Sequence, residues 1–334
     1  MRLQTAINLS RMWIKLGGRA EVDLAALETL LWRDGVGHIQ DLVSELKTIK
    51  DFSDKPINVN LTTNGLLLDK YAAHLKKSGI DKVRVSWHSC KKDVFAAIVG
   101  RDCYSNFLSS IKKSIKCELP ISFNRLLIKG LTEDLGYQLD FVRRWNVTLK
   151  LYDLYWTPNI AEHYEKYYVH WESLIDKYVL PITERHEKTS ADFSRVRHRF
   201  YLVDGGVVEV KTNNNNNYIN EHCISCDKRK LCLEAFGEYL RVDPDLTAIP
   251  CYLRRDLQED LSNVFNNSVD LSCLAAHLEH VLGQFWQNMI TEMKLRLIIV
   301  PFCNFRCTLP GTDAIFCLKT LGDYTFMSKT HKSY

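Results

Sequence analysis

Residues 294–317 read KLRLIIVPFCNFRCTLPGTDAIFC, an apolar run followed by Cys303, Cys307 and Cys317. The stretch 295–300 is a strand by its branched composition and its length. The chain opens with an amphipathic helix over 5–17 and then a strand over 20–24, so the strand that should precede that helix in a βα series is missing from the front. The only spare strong strand is 295–300. This predicts a permuted order, in which the last segment supplies the first strand and lies parallel beside 20–24.

Between residues 20 and 155, helical periods alternate with short β-branched runs. Strands are predicted over 20–24, 57–61, 82–87, 121–128 and 148–154, with helices over 36–50, 66–78, within 92–117 and over 132–145. That is the pattern of an α/β fold, a partial parallel (β/α) barrel. Residues 156–195 are aromatic-rich and read as irregular helix, 198–211 as a hairpin around Asp204-Gly205-Gly206, and 269–292 as an amphipathic helix. The Asn run at 213–217 reads as a solvated loop.

The chain has 334 residues, 46% of them hydrophobic, enough for one substantial core and a smaller annex. A formal charge of +4 is too slight a bias to demand nucleic acid as a partner. No apolar run approaches the ~20 residues that span a bilayer, and the first eighteen residues carry no small-residue cleavage site, so a cytoplasmic protein is expected. Eleven cysteines without a secretion signal point to thiolate chemistry rather than a disulfide framework.

Two groups of cysteines carry that chemistry. Cys303, Cys307 and Cys317 follow a strand, and three thiolates can hold three irons of a 4Fe-4S cluster while leaving the fourth open. Cys223, Cys226, Cys232 and Cys251 are spaced as a second site, which either zinc or an auxiliary iron-sulfur cluster would satisfy. Cys90, Cys103, Cys117 and Cys273 are isolated and read as small buried apolar residues. His88 and the Tyr/Trp-rich stretch 152–172 read as structural.

CNFRC after a strand resembles the start of the cluster motif of the radical S-adenosylmethionine superfamily, especially in the GTP cyclases of molybdenum-cofactor biosynthesis. Phe316-Cys317 keeps the family's aromatic-Cys pair, with TLPGTDA at 308–314 read as an insertion. Residues 24–31, LAALETLL, are similar to the family's LTGGEPLL; Glu28 is retained, while Ala26, Leu27 and Thr29 replace two glycines and a proline, which predicts a weaker hold on the cofactor. LTTNG at 61–65, VRVSWHS at 83–89, IVGRDCYSNFLSSI at 98–111 and FNRLLIKGLTEDL at 123–135 match further segments in order. Arg241 precedes Cys251 by the interval found in the cyclases' auxiliary-cluster module.

The resemblance implies a circularly permuted partial barrel of radical SAM type with a small cysteine-rich module. It divides the chain into a barrel core at 1–195, an auxiliary cluster module at 196–262, a connecting helix at 263–292 and a displaced first strand and cluster loop at 293–334. It implies two 4Fe-4S clusters, held by Cys303, Cys307 and Cys317 and by Cys223, Cys226, Cys232 and Cys251, with S-adenosylmethionine contacted by Glu28, Thr63, Asn64 and Ser86. The implied reaction is reductive cleavage of S-adenosylmethionine to a 5′-deoxyadenosyl radical that modifies a peptide or small molecule, with an electron donor such as flavodoxin or ferredoxin. Two rivals stand beside it. One is GTP 3′,8-cyclase activity itself, against which Cys232 counts as a fourth cysteine where the cyclases have three. The other is an inactive metal-binding remnant of a gene fusion, for which Met293-Lys294 would be the start of the second copy.

Overall fold

The computed structural model describes residues 1–25, 28–154, 156, 160–191, 195–213, 226–227, 239–251, 253–266, 272, 276 and 296–299, and beyond these the backbone of 307–308, 314–319 and 323–328. In chain order the strands are β1 (Glu21–Leu24), β2 (Arg33–Asp34), β3 (Gly37–His38), β4 (Asn58–Thr63), β5 (Lys82–Ser86), β6 (Ile121–Leu126) and β7 (Thr148–Tyr152). After them come β8 (Thr183–Ala191), β9 (Arg195–Leu202), β10 (Val207–Asn213), β11 (Tyr239–Val242), β12 (Thr247–Ile249), β13 (Glu259–Asp260), β14 (Arg296–Ile299), β15 (Cys307–Thr308), β16 (Ala314–Lys319) and β17 (Asp323–Ser328). The helices of the core are α1 (Leu3–Lys15), α2 (Ile39–Leu46), α3 (Leu68–Lys77), α4 (Lys92–Val99), α5 (Tyr104–Lys116) and α6 (Gly136–Trp145).

One large open sheet dominates, in the order β13-β12-β11-β14-β1-β4-β5-β6-β7-β10-β9-β8. From β11 to β10 the eight neighbours run parallel, and antiparallel strands finish both edges. Because β1, β4, β5, β6 and β7 follow one another across the sheet, their right-handed crossovers put every connecting helix on one face. The other face, the inner one, is left for chemistry.

The helix-side core explains the elements. In α1 the buried residues Ala6, Ile7, Leu9, Met12, Trp13 and Ile14 form one stripe, and the helix ends where Gly17 takes φ +85°. The alternate residues Val22 and Leu24, Val59 and Leu61, and Val83 and Val85 face the same layer and are fully buried. Trp87, just past β5, meets Phe123 and Phe141 edge-on with ring centroids 5.1 Å apart. In α2 the Asp41 carboxylate accepts the His38 N–H at 2.7 Å and closes the first turn.

Strand β14 runs parallel beside β1: Leu297, Ile298 and Ile299 pair with Val22, Asp23 and Leu24. Several expectations need correction. Residues 33–38 form a tight β2–β3 hairpin turning at Gly35, φ +57°, so α2 starts at Ile39 and not at 36. Irregular helix ends at residue 182, and 183–191 is a strand paired with β9; its charged sequence reflects an edge position, where no face need be apolar. The hairpin continues through β10 into a parallel pairing with β7. Likewise β11, with Arg241, is part of that sheet through β14. The predicted helix 269–292 falls almost wholly outside the described residues, as do residues 214–217 of the Asn run.

Candidate functional site

The inner face reads directly from the strands by alternation. EVDL, NVNLTT, KVRVS, ISFNRL, TLKLY and VVEVK each place polar residues at every second position. Ser86, Asn124, Lys150, Glu209 and Arg199 form one continuous row, each in register with the next. One row nearer the strands' N-terminal ends, Thr62, Arg84 and Ser122 are in register in the same way. A charged row facing away from the helices cannot be a packing layer; it must be satisfied internally or by a ligand.

Much of it is satisfied internally. Arg84, 4% exposed, donates to Asp23 Oδ1 at 2.7 Å, and Asn60 Nδ2 donates to Glu21 Oε1 at 2.8 Å and Asp23 Oδ1 at 2.7 Å. Lys150 Nζ lies 3.1 Å from Glu209 Oε1, with Arg197 and Arg199 at 3.4 and 3.3 Å from the same carboxylate. Burial opposes ionisation of Glu209, but Lys150 and Arg197 outweigh it and hold the carboxyl at about 2. Burial, then the charges of Lys150 and Arg84, push the Lys82 amine down to about 8 against the carboxylates of Glu209 and Glu21.

At the C-terminal ends of the strands lie the residues singled out by sequence. Ser86 is half-buried on the inner face, two positions beyond Arg84. Asn64 is half-buried in the turn after β4, where its Oδ1 accepts the Leu66 N–H at 3.0 Å. Glu28 and Thr63 face each other. The Thr63 hydroxyl donates to Glu28 Oε1 at 2.7 Å, the Leu30 N–H donates to the same oxygen at 3.0 Å, and the Asn64 N–H donates to Oε2 at 2.8 Å. Burial raises the pKa of Glu28 against those hydrogen bonds. Its carboxylate is therefore a brace between the 28–31 turn and the end of β4, and the Thr63 side chain is part of the same brace. Of the two threonines it is Thr62 that shares the inner face with Arg84, and its buried hydroxyl has no partner among the described residues. The signal that would have separated them is the period of two along NVNLTT.

The cysteines divide differently. Cys307 and Cys317 were expected on one loop, but they stand on adjacent antiparallel strands, with Cys307 in register with Phe316. Cys303, Cys223 and Cys232 lie outside the described residues, as do Ala26 and Leu27. Cys251 is buried and Cys226 half-buried. Among the described residues no three His, Cys, Asp or Glu side chains group as a metal site, and no described helix is long and apolar enough to cross a membrane.

The family pattern described as the Radical SAM superfamily matches residues 4–136. A probable GTP 3′,8-cyclase of Methanococcus aeolicus is 26% identical over 256 residues, 76% of this chain and 76% of that protein. A probable GTP 3′,8-cyclase of Methanococcus maripaludis is 30% identical over 237 residues, 69% of this chain and 70% of that protein. Among solved structures, native anSMEcpe with bound AdoMet and Cp18Cys peptide is similar over 87% of this chain and 90% of that one, at 12% identity and a TM-score of 0.40.

Proposed function

Because this chain belongs to the radical S-adenosylmethionine superfamily and is an enzyme of it, we propose that it acts on an anionic small molecule of the nucleotide class, held against the inner face of the sheet. When bound, a 4Fe-4S cluster supplies the electron that splits the sulfonium bond of S-adenosylmethionine and so the 5′-deoxyadenosyl radical that takes hydrogen from the substrate.

One observation carries the reading. Strand β14 runs parallel beside β1, so Ile299, in register with Leu24, ends at the same edge of the sheet as Asn64 and Ser86. Four residues of chain, at most ~14 Å, separate Ile299 from Cys303, so that edge is within reach of the cluster cysteines. This supports the permuted order, with Cys303, Cys307 and Cys317 as ligands of the open-iron cluster. The residues present fit a polar cofactor and substrate: among the described residues the hydroxyls of Thr62 and Ser122 and Oδ1 of Asn124 are buried on the inner face without partners. Ser86 and Asn64 lie at the C-terminal ends of the same strands. The names of the relatives favour a nucleotide. The spacing of Cys223, Cys226, Cys232 and Cys251 supports a second metal site, filled by an iron-sulfur cluster or zinc.

The test is anaerobic reconstitution followed by iron, sulfide and zinc analysis, then reduction and measurement of 5′-deoxyadenosine with and without GTP. Two clusters are expected. Cys303→Ala should remove one and leave the 223–251 site loaded; equal loss of both would show that the cysteines are grouped wrongly. A protein holding only zinc and forming no 5′-deoxyadenosine would be the fused remnant.

A further inference from the structure

Past Ser86 the β5–β6 ladder ends in an unusual exchange of partners. The Trp87 N–H donates to the Asn124 carbonyl at 2.9 Å, and in a parallel ladder the Leu126 N–H should then return to the Trp87 carbonyl. Instead Leu126 N–H donates to His88 Nδ1 at 3.1 Å, and the Trp87 carbonyl accepts from Gln138 Nε2 at 3.0 Å. An imidazole nitrogen that accepts an N–H carries no proton of its own. The neutral ring must therefore hold its proton on Nε2.

Among the described residues that Nε2–H has no partner, although His88 is only 6% exposed. Burial, then the charge of Arg125, push the imidazole down to about 4, so it stays neutral and serves as a donor rather than an acid or base. His88 follows Ser86, which faces inward, by two residues, and its bond to Leu126 holds the ring beside the end of β6. The buried, unpartnered Oδ1 of Asn124, in register with Ser86, lies on the same face.

We propose that His88 positions the substrate, its Nε2–H donating a hydrogen bond to a substrate oxygen beside Ser86. This rests on the nucleotide reading above. Two variants separate the two nitrogens of the ring. In His88→Asn the amide oxygen stands near the place of Nδ1 and keeps an acceptor for Leu126 while removing the outer donor. In His88→Gln the longer amide carries an N–H toward the place of Nε2 and gives up the bond to Leu126.

The experiment measures GTP binding to the anaerobically reconstituted enzyme by calorimetry, with melting temperature and substrate-free 5′-deoxyadenosine formation as controls. His88→Asn should bind GTP about tenfold more weakly with its melting temperature unchanged, while His88→Gln stays within about threefold of the parent. Wild-type affinity in His88→Asn, or equal loss in both variants with a fall in melting temperature, overturns the proposal and leaves His88 as a strand cap. Nitrogen-15 NMR of the imidazole gives a second judgement: a proton on Nδ1, or titration near 6.5, overturns it as well. If the parent enzyme itself binds no GTP, the nucleotide reading falls and takes this assignment with it; GTP binding by the parent with an indifferent His88→Asn removes the His88 assignment alone.

Discussion

Glu209 is the residue on which the inner face depends most, because three cations converge on one buried carboxylate. Its folded pKa, about 2, lies below the ordinary 4.5. The linkage sign is that of a depressed acid: the stabilisation is present above pH ~4.5 and is lost as pH falls through 2. The shift corresponds to on the order of 3 kcal/mol, and Glu209→Gln would also leave Lys150 buried without its counter-charge. Urea unfolding at pH 7 should show a loss of about 3 kcal/mol, and the variant should lose the parent's acid dependence below pH 4.5. A change under 1 kcal/mol would mean that water, not Glu209, compensates Lys150.

At the scale of elements, the turn after β4 shows what a short motif hides. Asn64-Gly65 in sequence is only a turn signal. In the structure Gly65 takes φ +80°, and a Cβ there would stand 2.9 Å from Val85 Cγ1 and 3.0 Å from both Ile111 Cδ1 and Phe107 Cε2. Gly65→Ala should therefore cost about 2–4 kcal/mol, combining left-handed strain with overpacking, and should loosen the Glu28 brace. Thermal unfolding checks the cost, and an unchanged melting temperature would contradict it. The strands themselves were legible because parallel βα units repeat two periods, apolar alternation and amphipathic helix, and β1, β4, β5, β6 and β7 fall where those periods put them. The strand β8 was not legible: TERHEKTSA is charged along its length, and only pairing with β9 makes it extended. The inner row escaped notice for the opposite reason. Its polar positions alternate cleanly, but the meaning of that alternation depends on which face the crossover helices cover.

For the whole molecule the deciding fact is that a strand from one end of the chain completes a sheet begun at the other. Strand β14 was legible from its short, branched apolar run; where the cysteines beyond Ile299 converge was not, because no local period specifies it. The consequence can be tested without cofactor. The Ala25 N–H donates to the Ile299 carbonyl at 3.0 Å, and β11 reaches β1 only through β14. Removing residues 293–334 should expose the amides of Ala25 and of β11 to rapid hydrogen exchange, while Val83 and Val85, bracketed by β4 and β6, keep their protection. The bared edge of β1 should also pair with other copies, so that sedimentation shows association rising with concentration. If Ala25 and β11 stay as protected as in the full chain, the tail is not part of the sheet in solution. The permuted enzyme would then give way to a fused remnant carrying an idle C-terminus.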